Sequence, residues 1–262
     1  IKLVIPFSIT GNDVETNPNI FQVYQPEASL INKSIAAYLE RFQKSFHPIF
    51  INCQDPASQV GDFITSLRKQ LDLQKIKYDL TSTKSSNAEF SKHFDATRPN
   101  VVILNSEKSP QLNEVFAKLA QLKKTRPGVA ISLYGYNQWF VYQDYYLDQY
   151  FKYNTYIPST YYYNKAADKT KELEAKYIEQ YGEPMARQYI PRMALIGYDM
   201  AQFFVRGLKT NGKNFNGAAS EVKYRPLQTR YDFVRVGQGG YMNDNFQLVH
   251  FKTDQTMENL VY

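Results

Sequence analysis

A single cysteine, Cys53, among 262 residues leaves no internal disulfide and no cysteine-built zinc site. The three histidines, His47, His93 and His250, lie too far apart to give a zinc-ligand pair. No Gly-x-Ser-x-Gly elbow is present, and no histidine is placed by sequence beside a nucleophile, so a Ser–His hydrolase is not supplied. Carboxylates are scattered; Asp144 and Asp148 share a helical face, which reads as a solvated face rather than an acid–base pair. No apolar run is long enough to span a bilayer. Internal repeats, heptads and low-complexity tracts are missing as well. These absences predict a protein that is not an enzyme and uses neither cofactor nor metal.

The chain has no initiator Met, and its opening run, Ile1 to Phe7, is too short for the apolar core of a signal peptide. A processed product or excised part, opening on a mid-domain strand, is the expectation. The net charge is +6 with a pI near 9.1. The basic residues form short clusters, Arg68-Lys69 and Lys123-Lys124 with Arg126, at expected helix ends, where cations suit the dipole. No basic stripe with interleaved aromatics exists, so nucleic acid is not an expected partner.

What the sequence does contain is strand–helix alternation after residue 29. Ser29 is expected to cap a helix to about Phe46, and Pro48 to Asn52 is a buried-type strand. Asp55-Pro56 is expected to open the next helix, with Val60, Phe63, Ile64, Leu67 and Leu71 on one face. Lys77 to Thr81 reads as a strand and Ser86 to Phe94 as a helix. Val101 to Leu104 is the clearest strand. Ser109-Pro110 opens a helix carrying Leu112, Val115, Phe116, Leu119 and Leu122, and Val129 to Tyr134 is the next strand. Continuous apolar strands joined through helices predict a parallel sheet covered on both faces. Cys53, at a strand end, is expected to be a small buried residue.

Half of the 22 tyrosines fall between Tyr134 and Tyr163, together with the only tryptophan, Trp139. Such rings can stack on sugars, or Tyr142, Tyr145, Tyr146, Tyr150 and Tyr153 can pack along a surface between lobes. Lys165 to Tyr181 reads as a charged surface helix ended by Gly182, and Pro191 to Leu208 as a mostly apolar helix. Beyond Asn216-Gly217 the texture is β: Val222 to Arg225, Tyr231 to Val236, a Gly237-Gln238-Gly239-Gly240 hairpin turn, and Phe246 to Phe251. That glycine run lacks the Lys-Ser/Thr and following helix of a phosphate loop.

The order of these features resembles a known family. Val4-Ile5-Pro6-Phe7-Ser8 with Asn17-Pro18-Asn19-Ile20-Phe21, then Tyr181-Gly182-x-Pro184, Gly197-Tyr198-Asp199 and Gly240-Tyr241-x-Asn243, is similar to the type I periplasmic solute-binding group. That group includes branched-chain amino-acid-binding proteins of ABC transporters. More narrowly the chain resembles the module that follows LysM repeats in bacterial envelope proteins. The resemblance implies an α/β fold with a parallel sheet flanked by helices, a partial second lobe and a C-terminal β hairpin. It implies part of the first lobe over 1–28, the second lobe over 29–157, a helical return to the first over 158–213, and a β segment over 214–262 that returns to the second lobe. Most of the family's first lobe is expected to precede Ile1.

Ligands of open parallel sheets bind beyond the carboxyl ends of strands. The candidate ligand-binding residues there are Asn105, Ser106, Tyr136, Asn137 and Trp139, in loops that face the cleft in the family resembled. Replacing Trp139 with Ala is expected to weaken binding more than folding, and replacing Asp199 with Ala to act on stability. The implied function is non-catalytic recognition of a small solute or cell-wall-derived fragment in an interlobe groove, in the periplasm or cell envelope. Peptidoglycan contact would come through domains absent from this sequence, and a homodimer is a further expected partner. The other reading is a structural or protein-interaction module that kept the fold without a ligand.

Overall fold

The structure, a computed structural model, describes residues 2–8, 13–42, 45–164, 167–186 and 190–262. The chain runs β1 (Leu3–Ile5), α1 (Asp13–Thr16), β2 (Ile20–Gln22), α2 (Glu27–Phe42), β3 (His47–Asn52), α3 (Gly61–Leu73) and β4 (Asp79–Ser82). Next come α4 (Asn87–Lys92), β5 (Asn100–Leu104), α5 (Ser109–Thr125), β6 (Ile131–Tyr134), a 3₁₀ segment (Asn137–Tyr142), α6 (Gln143–Lys152) and β7 (Thr155–Ser159). The last part holds α7 (Asp168–Tyr181), α8 (Met193–Asn211), β8 (Phe233–Arg235), β9 (Tyr241–Asn243), β10 (Gln247–Phe251) and β11 (Met257–Val261). These elements form two compact units. The larger comprises Ile31–Ser159 and Leu248–Leu260; the other comprises Ile1–Leu30, Thr160–Gln247 and Val261–Tyr262.

The larger unit is built on a seven-stranded sheet of order β11-β10-β7-β6-β5-β3-β4. Strands β3 to β7 pair in parallel, with Phe50 opposite Ile103 and Tyr134 opposite Tyr156. Every residue of β5 is buried, as parallel strands covered on both faces require. Helix α5 places Leu112, Val115, Phe116, Leu119 and Leu122 on its buried side, the 3-4 spacing of one helical stripe. Pro110 sits in its first turn, and Lys123 and Lys124 in its last. Each fully buried leucine in such a stripe contributes about 2 kcal/mol of transfer free energy.

The smaller unit carries a four-stranded sheet of order β1-β2-β9-β8. Its core is aromatic: Phe21, Phe203, Phe204, Phe215, Tyr231 and Phe233 pack with Val23 and Val222. Hairpin β8–β9 is antiparallel, with Val234 opposite Met242. Its turn needs glycine for two reasons. Gly237 has φ 53°, and a Cβ on Gly239 would lie 2.2 Å from the Val14 carbonyl oxygen. Helix α7 ends on Gly182 at φ 74°, the left-handed stop read from the sequence.

Several local expectations are corrected. Ser29 is not a cap: α2 begins at Glu27, and the Ser29 and Leu30 N–H groups donate to the Pro26 carbonyl. That helix is described to Phe42, and Phe46 lies outside it. Asp55-Pro56 does not open α3, which starts at Gly61. The Asp55 carboxylate instead accepts the Ala57 N–H in an Asx turn and serves the site described below. Arg68-Lys69 lie within α3 rather than at a helix end. Residues 222–225 form no strand; Val222 anchors that stretch in the aromatic core. Strand β11 was not anticipated. Lys165, the expected start of the charged helix, lies outside the described residues.

Candidate functional site

The sheet order decides where a site can be. From β3 the chain passes through α3 to β4 on one side, then through α4 to β5 on the other side of β3. The carboxyl ends of β3 and β5 therefore form a topological switch point, the place where open parallel sheets bind their ligands. Asn52 to Asp55 leave β3 there, and Asn105 to Lys108 leave β5.

The two loops are tied together by side chains. The Asn105 Oδ1 accepts the Cys53 N–H at 2.7 Å, and its Nδ2 donates to Asn52 Oδ1 at 3.2 Å. Gln54, at φ 55°, donates its N–H to the same Asn52 oxygen at 3.0 Å. Ser106 Oγ donates to Asp55 Oδ2 at 2.7 Å, and Lys108 Nζ to Asp55 Oδ1 at 2.9 Å. The Ser106 hydroxyl and the Lys108 ammonium hold the Asp55 carboxyl below its usual range. Buried Glu107 accepts from Ser58 Oγ at 3.3 Å and from the Gln59 N–H at 3.2 Å. Asn52, Asp55, Glu107 and Lys108 are not among the five candidate residues. Only a run of polar residues after each strand could have signalled them.

The five expected contacts divide by burial. Asn105 and Asn137 are half-buried. Ser106 is fully buried on Asp55, and buried Tyr136 donates its hydroxyl to the Leu104 carbonyl. Trp139 is a correction: it is 0% exposed, so its loss falls on the core. Its indole stacks on Tyr150 with centroids 6.0 Å apart, and the Tyr150 hydroxyl donates to the Trp139 carbonyl at 2.9 Å. Of the tyrosine cluster, Tyr150 and Tyr153 are buried against Phe116 inside the same unit. Tyr145 is 83% exposed.

The histidines are engaged with acids. His47 Nε2 lies 2.9 Å from Asp79 Oδ2, His93 Nδ1 3.7 Å from Asp79 Oδ1, and His250 Nδ1 2.8 Å from Glu258 Oε1. Among the described residues no group of three His, Cys, Asp or Glu side chains could hold a metal ion. No helix among them is long and apolar enough to cross a membrane.

No protein-family model matches the chain, and no curated protein matches it significantly by sequence. Solved structures do. A putative branched-chain amino acid ABC transporter protein from Rhodospirillum rubrum aligns with TM-score 0.52 and 11% identity, over 100% of this chain and 73% of that one. A branched-chain amino acid ABC transporter protein from Thermus thermophilus, with bound valine, aligns at 0.49 and 10% identity, over 93% and 67%. An ABC transporter substrate-binding protein from Desulfitobacterium hafniense, in complex with Leu, aligns at 0.48 and 13% identity, over 94% and 71%. With the parallel sheet and its flanking helices, the first of these likenesses gives the chain the type I periplasmic-binding fold.

Proposed function

We propose that this chain recognises, without catalysis, a small solute or cell-wall-derived fragment at the carboxyl ends of the parallel strands of its larger sheet. The observation that carries the reading is the switch point between β3 and β5, where two polar loops are locked side by side by Asn105 and Asp55. A pre-organised rim of this kind lowers the ordering cost of binding. Asn105 and Asn137 supply the accessible polar groups, while Ser106, Tyr136 and Trp139 support them from beneath. The fold is used by proteins described as ABC transporter substrate-binding, one of them holding Leu. The proposal places the protein in the periplasm or cell envelope, with peptidoglycan reached through LysM-type domains outside this sequence. The lobe boundaries at 28/29 and 157/158 belong to the same proposal, while β8 and β9 stay with the smaller unit.

A screen of amino acids, short peptides and muropeptides by thermal shift and native mass spectrometry tests it. At least one compound should raise the melting temperature and appear as a mass adduct. The double variant Asn105→Ala/Asn137→Ala should lose both signals.

A second reading has its own support. The polar groups at the switch point are already bonded to one another, which leaves few free for a ligand. On that reading the module holds a protein partner, a second copy included. A screen without hits, combined with a concentration-dependent dimer in ultracentrifugation, would favour it.

A further inference from the structure

The smaller unit holds a concave site, well apart in sequence from the strand ends. Helices α7 and α8 and the segment 223–227 enclose a cavity of about 330 Å³. Its charged lining is one-sided: Lys169, Lys176, Arg206, Lys223 and Arg225 against a single carboxylate, Glu172. All five cations are exposed.

Only part of this charge is matched. Glu172 accepts from Lys176 at 2.7 Å, which holds its carboxyl below the usual range, and the Arg206 Nε donates to Gln202 Oε1 at 3.0 Å. The side chains of Lys169, Lys223 and Arg225 form no hydrogen bond or ion pair among the described residues, although Lys169 is near enough to Glu172 to add to that lowering. Several like charges facing one concave space repel each other, and an anion placed between them relieves that repulsion.

The wall that bears Lys223 and Arg225 is held in place. The Tyr224 hydroxyl donates to Asp199 on α8, and the Leu227 N–H donates to the same carboxylate at 2.9 Å. The two cations flank a fixed residue, so little order has to be created when a ligand arrives. Arg206 and Arg225 add guanidinium forks that match the oxygen pairs of phosphate and carboxylate.

We propose that this groove binds a compact polyvalent oxyanion, a small molecule carrying two or more phosphate or carboxylate groups. Lys223 and Arg225 grip it from the 223–227 wall, Arg206 from α8, and Lys169 and Lys176 from α7. The site is independent of the strand-end reading and stands or falls without it.

Isothermal titration with inorganic tripolyphosphate and with citrate, both at constant ionic strength, tests the assignment on the whole chain. One equivalent of at least one of them should bind, and which one binds distinguishes phosphate from carboxylate chemistry. Lys223→Glu/Arg225→Glu should weaken binding at least tenfold with an unchanged melting temperature, since both side chains are exposed. Lys75→Glu/Lys77→Glu, an equal charge change in the larger unit, should keep the original affinity. Absence of binding by either anion at millimolar concentration would overturn the proposal. So would an equal loss in the two double variants, because binding would then follow net charge alone.

Discussion

The Asp199 carboxylate, fully buried on α8, accepts the Thr229 N–H at 2.8 Å. It also accepts the N–H of Gln228 at 2.8 Å, the N–H of Leu227 at 2.9 Å, and the Tyr224 hydroxyl. One side chain thus pairs three successive backbone donors that no strand supplies with acceptors. Burial pushes the carboxyl above its usual range, and the four donors pull it back.

Removing that acceptor should be costly. Asp199→Ala leaves three buried N–H groups unpaired and is expected to lower unfolding free energy by about 3 kcal/mol or more. Asp199→Asn should also destabilise, because either orientation of its amide turns a donor toward at least one of those N–H groups. Urea denaturation of both variants is the measurement; wild-type midpoints in either would show that the loop is held by something else.

Gly135 and Trp139 form a second dependent pair. A Cβ on Gly135 would lie 2.3 Å from the Trp139 ring. Gly135→Ala is expected to destabilise by roughly 1–3 kcal/mol through overpacking. Trp139→Ala should cost about 3–5 kcal/mol through the void it leaves. Trp139→Phe should cost much less than Trp139→Ala, because the indole N–H has no acceptor among the described residues to lose. Thermal melts that rank Phe no better than Ala would contradict a packing role.

Acid should weaken the fold through Asp95. The N–H groups of Arg98 and Thr97, then the Arg98 guanidinium at 2.7 Å and the Thr97 hydroxyl, hold its carboxyl far below the usual range. The folded-state value is depressed, so the contribution is complete above the unfolded value of about 3.9 and is lost as the pH falls below it. The stability gap between wild type and Asp95→Asn should therefore be constant from pH 7 to about 5 and shrink under further acidification. A gap independent of pH down to 2 would refute this account.

Cys53 should be chemically silent. It is 3% exposed, and its thiol is pushed up to about 12, chiefly by burial, with Glu114 adding. A thiol-reactive dye is expected to label it at neutral pH only as fast as the protein unfolds. Rapid labelling of the native protein would mean that the loop after β3 opens.

The elements most legible in the sequence are those fixed by local rules. The apolar run Val101 to Leu104 and the stripe from Leu112 to Leu122 gave β5 and α5, because period and burial coincide there. Gly182 and Gly237 marked their turns because few other residues adopt positive φ. Where reading failed, a distant residue had taken over a local signal. Asp55 looked like a helix cap, yet its carboxylate is engaged by Ser106 and Lys108, more than fifty positions away.

What the sequence by itself determined is therefore the parallel α/β class, its main strands and helices, and the loops in which polar residues gather. Only the tertiary structure decided which of those loops are neighbours. Placing β5 beside β3 rather than β4 is a long-range choice that no local propensity encodes, and it brings Asn105 to Asn52 and Lys108 to Asp55. Likewise, Trp139 became core rather than contact because its ring found Gly135 and Tyr150 within the fold, and aromatic identity alone does not say which side of a surface a ring will take.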